Sequence, residues 1–308
     1  MARAGASPTL PTEDEVATAV AVAAGRETGD LLLRGGQVVD VFTNAVYPAD
    51  VLVAGRLVAA VGQGLTGARE VVDLDGAYVT PGLIDGHVHL ESSLVTPAAY
   101  AEVVVPRGVT AVVCDPHEIA NVAGEAGVAW LLETTAHLHL DVWVTVPSCV
   151  PSTDLETAGA EFGLPEMTRL LGHPRVVGVA EIMSFPDVVA GVRAALAKAA
   201  LAAAHALPAE GHAPALSGRD LQAYLAAGIG SDHEATTVAE GREKLRAGTF
   251  LMVREGSVTR DLAALLPLVD PRHGDRVGFV TDDRLPHDLL AEGGVDHVVR
   301  AAIAGGAD

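Results

Sequence analysis

The chain has 308 residues, 49% apolar and 19% charged with 33 Gly, a balance that excludes a disordered chain and a collagen-like repeat. Forty acidic against 20 basic residues give a formal charge of -20, which repels phosphate backbones and anionic lipid and argues against nucleic acid and membrane surfaces as partners. Two cysteines, Cys114 and Cys149, make no disulfide scaffold and point to a reducing, cytoplasmic setting.

Pro11 and Thr12 open a helix with Glu13, Asp14 and Glu15 in its first turn, and Gly25 closes it. The same acids stand where a secretory leader wants positive charge, and no apolar run reaches the roughly 18 residues a bilayer span needs. Residues 1–29 therefore read as an exposed helical extension. Residues 30–76 change character: LLLRGGQVVDV, ADVLVAG, RLVAAVG and REVVDL, parted by Gly, Asn and Pro, predict a small antiparallel β module.

From residue 77 to 308 β-branched runs that end in polar clusters alternate with Ala-rich stretches. The runs are YVTPGLIDGHVH, VTAVVCDPH, LDVWVTVPS, VVGVAEI, LPAEGH, GIGSDHE, TFLMVRE and RVGFVTDD. Helices are predicted over 97–106, 121–136, 165–171, 187–206, 217–227, 237–247 and 258–269, with a last one from Pro286. This α/β rhythm predicts a (β/α)8 TIM-type barrel, with a doubly wound sheet as the alternative. In a barrel the chemistry gathers at the carboxyl ends of the strands, where the polar clusters fall.

His87 and His89 end the first run one residue apart, so strand alternation sends both imidazoles to one side, a spacing that suits a divalent metal. His137 and His139 repeat the spacing but begin a strand, which places them on the far rim or the surface. Glu181 ends the fourth run, His212 the fifth, His233 the sixth and Asp282 the eighth. Together they put six ligand-type side chains around one rim.

These residues resemble the amidohydrolase superfamily and, within it, the adenine deaminase family. The blocks PGLIDGHVHLESS, DPHEIANV, VPSCVPS, EIMSFPDV, GHAP, GIGSDHE and VTDDR carry the likeness, in order, from Asp30 to the end. The resemblance implies hydrolytic deamination of adenine to hypoxanthine and ammonia by a metal-activated hydroxide, in purine salvage. It assigns His87, His89 and Asp282 to one metal, His212 and His233 to a second, and Glu181 to a bridge. Many amidohydrolases bridge with a carboxylated lysine, but Lys198 and Lys244 both fall inside predicted helices. Asp282 and Glu181 are the expected catalytic groups, with Asp282 moving the proton. Thiolate-free ligands suit Mn, Fe or Zn, and the family favours Mn or Fe.

Glu91, Ser92, His117, Glu118 and Ser148 lie at the same rim and are candidates for contacting the base. A capped turn explains the DPHE cluster equally well, and Asp283 is read as a loop or capping carboxylate. The family's chains continue well past the barrel and assemble as homo-oligomers, so this chain is expected to be truncated after the barrel and to leave edges of the β module without partners. Two alternatives stay open: another cyclic amidine or amide as substrate, and a shortened, non-catalytic relative.

Overall fold

A computed structural model describes residues 11–153 and 155–307. The chain divides into two compact units, one ending at Gly82 and the other beginning at Leu83.

The first unit contains α1 (Glu13–Ala23), β1 (Gly29–Asp40), β2 (Ala45–Ala54), β3 (Leu57–Gly62), β4 (Ala68–Asp73) and β5 (Tyr78–Val79). Thr12 and Glu15 cap α1 reciprocally: Thr12 N donates to the Glu15 carboxylate and Glu15 N to the Thr12 hydroxyl. Ala19 and Val22, three residues apart on one helix face, are buried with Leu32, Leu52 and Ala54 of the sheet. The helix thus packs on this unit through one face, while most of its residues are exposed. The sheet is mixed, not antiparallel throughout: β1–β2 and β2–β3 are antiparallel, while β4 and β5 both pair with β1 in parallel. Turn chemistry marks the hairpins, but β4 crosses to the far edge beside the 12-residue β1.

The second unit repeats strand and helix. Its elements are β6 (Leu83–Val88), α2 (Pro97–Val104), β7 (Val109–Cys114), α3 (His117–Thr134), β8 (Asp141–Val146), α4 (Leu164–Leu170), β9 (Val176–Ile182), α5 (Phe185–Val189) and α6 (Arg193–Ala204). There follow β10 (Ala209–Gly211), α7 (Gly218–Ala226), β11 (Ser231–Asp232), α8 (Val238–Arg246), β12 (Phe250–Arg254), α9 (Leu262–Leu265), β13 (Val277–Val280), α10 (Pro286–Ala291) and α11 (Val295–Ala304). Every predicted run holds one of these strands. The helix predicted over 187–206 is broken at Gly191, whose φ of 76° a helix cannot accommodate. The one predicted over 258–269 shrinks to α9, because Pro267 tightens the next turn to a 3-10 geometry.

β10-β9-β8-β7-β6 form one parallel sheet and β11-β12-β13 another. Single parallel bridges join their margins, Ala209 to Ile229 on one side and Val88 to Asp282 on the other. At the second bridge Asp282 N donates to His87 O at 3.0 Å and His89 N donates to Asp282 O at 3.3 Å. Thr281 fastens the same seam, its N–H and hydroxyl both donating to the buried Asp85 carboxylate. The strands supply a core of Val, Leu and Ile side chains, buried on both faces as parallel strands require. No helix among the described residues is long and apolar enough to cross a membrane.

Candidate metal centre

The six side chains singled out in the sequence meet at the carboxyl ends of the parallel strands. His89 Nε2 lies 3.0 Å from Asp282 Oδ1 and 3.6 Å from Glu181 Oε1. The other oxygen of Glu181 lies 2.6 Å from His212 Nδ1 and 3.2 Å from His233 Nε2. His87 stacks on His233 with ring centroids 4.2 Å apart and places Nε2 3.7 Å from Asp282 Oδ1. His87, His89, Glu181, His233 and Asp282 are all buried. Short strands hold two of these groups: β10 ends one residue before His212, and β11 ends at Asp232, beside His233.

Four overlapping groups bring ligand atoms within 4.8 Å of one another: His87, His233 and Asp282; Glu181, His212 and His233; His89, Asp115, His117 and Glu181; and His89, Asp282 and Asp283. These clusters of imidazole and carboxylate could hold metal ions. His87 tests the fit, because its Nε2 is buried with no hydrogen-bond partner among the described residues while its Nδ1 sits 3.1 Å from Glu210. An imidazole so held presents a lone pair to the cluster, as a metal ligand must. His89 repeats the device, with Nδ1 2.9 Å from the Asp115 carbonyl and Nε2 turned inward.

Crowding perturbs the ionisation of these groups. Burial pushes the Glu210 carboxyl up to about 8. Burial acts the same way on Glu181, but the hydrogen bonds from His212 and His233 outweigh it and hold that carboxyl well below the usual range. Asp282 is likewise held low against burial by His89 and the nearby His87 and His233. Burial opposes charge on His117, and the adjacent Asp115 overrides it to raise the imidazole to about 9.

A cavity of about 290 Å³ opens above the cluster, with His117, Glu118, Met183, Arg254, Val258 and Asp283 in its walls. The remaining three candidates are engaged inside the protein. Glu91 accepts from Ile119 N at 3.1 Å, and Ser92 donates to Glu118 at 3.2 Å and also to Asp283. Ser148 is buried and donates to Glu181 O at 2.7 Å, tying down the end of β9. His137 and His139 are exposed and precede β8, away from the strand ends that carry the site.

Sequence reasoning passed over Glu210, Glu234 and Arg254, and met Asp115 only as the start of the DPHE cluster, without a role of its own. Arg254 is buried and joins Glu234, Asp261 and Asp282, the last at 3.1 Å. Each of the four stands in a polar strand-end block already noted, and Glu210 precedes His212 by two residues, the spacing that places strand neighbours on one side. That signal was available.

A family model, the Amidohydrolase family, matches residues 78–303. The chain belongs to the amidohydrolase family. Among amidohydrolase relatives, Adenine deaminase 2 of Carboxydothermus hydrogenoformans is 46% identical over 289 residues, 94% of this chain and 50% of that protein. The adenine deaminase of Kosmotoga olearia is 43% identical over 290 residues, again 94% of this chain and 50% of the relative. The chain thus spans about half the length of the curated relatives it matches. Among solved structures, an N-acetyl-D-glucosamine-6-phosphate deacetylase from Mycobacterium smegmatis superposes with a TM-score of 0.61 at 19% identity, over 89% of this chain and 83% of the other. A mutant atrazine chlorohydrolase from Arthrobacter aurescens gives 0.59 at 16% identity, over 86% and 74%. These two establish a shared fold.

Proposed function

We propose that this amidohydrolase site hydrolyses the exocyclic C–N bond of adenine, using two divalent cations, Mn or Fe, with Zn also served by the same donors. The observation that carries the reading is the convergence of His89, Glu181, His212, His233 and Asp282 on one cavity floor, with the buried His87 clustered against His233 and Asp282. The relatives named adenine deaminase, alike over 94% of this chain, supply the substrate. We also infer that the two parallel sheets make one closed (β/α)8 ring, since single bridges join their margins on both sides.

His87, His89 and Asp282 would hold one cation, His212 and His233 the other, and Glu181 would reach both through its two oxygens. Bound there, the cations supply Lewis acidity that brings the ionisation of a water molecule near neutral pH. Asp282 takes a proton from that water and passes it to the departing amine. Arg254 holds Asp282 Oδ2 at 3.1 Å and leaves Oδ1 facing the imidazoles. The water oxygen bonds to C6 and the C6–N bond breaks. One water proton leaves with ammonia, and the other stays on a ring nitrogen of hypoxanthine. Met183 and Val258 give the flat ring apolar contact, while Glu118 and Asp283 offer acceptors at its edge.

The test is release of hypoxanthine and ammonia from adenine by purified, Mn-loaded protein, run beside a panel of other nucleobases and cyclic amides. Turnover with preference for free adenine is expected. Metal bound without turnover of any panel member would overturn the proposal in favour of a non-catalytic relative, and preference for another member would move the substrate.

A further inference from the structure

The chain has two lysines, and the ammonium of each reaches a main-chain carbonyl at a strand end: Lys198 reaches Ser148 O and Lys244 reaches Ala213 O. Lys244 is the more enclosed, on α8 with no exposed surface. A buried cation is costly unless acceptors replace its water shell. Three do: Ala213 O at 2.8 Å, Asp232 Oδ2 at 2.7 Å and Glu240 Oε1 at 2.8 Å.

Two of these acceptors sit directly beside the metal centre, since Ala213 follows His212 and Asp232 precedes His233. Asp232 Oδ1 also accepts from Ala213 N at 2.9 Å, so the ion pair fastens Ala213 by both its N–H and its carbonyl. His212 and His233 need such fastening. They follow strands of three and two residues, whose ladders supply few hydrogen bonds. Their ring centroids lie 5.3 Å apart.

We propose that Lys244 is a positioning residue of the metal centre: its ammonium clamps the carbonyl after His212 to the carboxylate before His233 and so sets the spacing of these two imidazoles. This rests on reading His212 and His233 as ligands of a cation. Partners one step behind a ligand act on metal affinity by orienting it, and Lys244 does so through the main chain.

The test compares the native chain, Lys244→Met, the double variant Lys244→Met with Asp232→Asn, and Arg175→Met. Arg175 is a second buried cation, bonded to Thr135 Oγ1 at 2.8 Å just before β9 and away from the strand ends that carry the site. Each protein is titrated with Co, reading affinity, metal content and the ligand-field spectrum, and is melted without metal. Lys244→Met is expected to weaken one cation about 10-fold to 100-fold and to alter the spectrum. The double variant no longer strands the Asp232 carboxylate, and Glu240 keeps its bonds from Ala215 N and Thr236 N, so it regains stability but keeps the affinity loss. Arg175→Met loses stability with native affinity. Native affinity in Lys244→Met, or in the double variant should the single one fail to fold, overturns the proposal, as does an equal loss in Arg175→Met. A native chain that binds no cation overturns the reading of the site along with it.

Discussion

His87 keeps Nδ1 3.1 Å from Oε2 of Glu210, and its Nε2 remains buried with no hydrogen-bond partner among the described residues. A neutral imidazole carries one N–H, and an accepting carboxyl oxygen of Glu210 beside Nδ1, present in the neutral acid that burial favours as well as in the carboxylate, fixes that proton there and leaves the Nε2 lone pair for a cation. Glu210→Ala is therefore expected to weaken metal binding about 10-fold to 100-fold. Glu210→Gln, whose carbonyl still accepts, should retain most of the affinity. Competition against a chelator measures both, and native affinity in the alanine variant would rule this orienting role out.

His233 belongs to the group with His87 and Asp282 and also to the group with Glu181 and His212. With His212 it would hold the second cation, so His233→Ala leaves that cation one imidazole and should roughly halve the metal content per chain. Elemental analysis after dialysis reads this directly, and unchanged content would contradict the role given to His233.

Asp282→Asn keeps the shape of the side chain but removes its capacity to take a proton. Its kcat for adenine should fall about 10²-fold to 10⁴-fold. A larger effect on KM than on kcat would place the residue in binding instead of proton transfer.

Gly211 lies between Glu210 and His212, where β10 approaches the start of β11 and the residues just before it. A Cβ there would come within 2.3 Å of Ser231 O and 2.9 Å of Ile229 Cγ2. Because the nearest atom is backbone, Gly211→Ala must part the two strands, at about 1–3 kcal/mol. Thermal melting checks the loss, and an unshifted melting temperature would mean that the strands part freely.

In the first unit the buried Asp50 carboxylate accepts from Gly35 N at 2.8 Å and Leu65 N at 3.1 Å. The Gly35 bond leads in holding its pKa below the usual carboxylate range. The folded value lies under the unfolded one of about 3.9, so the stabilisation is complete above that pH and is lost as pH falls through the folded value. Hydrogen exchange at Gly35 and Leu65, corrected for intrinsic rates, should quicken below about pH 4. Asp50→Asn should flatten this dependence. The same acid response in that variant would assign it elsewhere.

Much of this molecule is written plainly in its sequence. The strand-end residues His87, His89, Glu181, His212, His233 and Asp282 are found together because parallel strands share a direction, so that residues ending different runs arrive at one rim. Less legible is what holds them. Glu210 and Arg254 sit beside the recognised residues, but only the packed structure shows which carboxylate meets which cation. The partners of β4 were hidden as well, since alternation marks a strand without naming its neighbour. The packed face of α1 was missed for a simpler reason: Ala19 and Val22 make too small an apolar face to declare burial from sequence.

Asp282 adopts a left-handed φ of 57°, uncommon outside glycine, and both its N–H and its carbonyl bond across to β6. The residue that would move the proton is also the rivet between the end of β13 and the end of β6. A chain in which this seam has not yet paired would carry every side chain of the site while leaving Asp282 out of reach of His87 and His89.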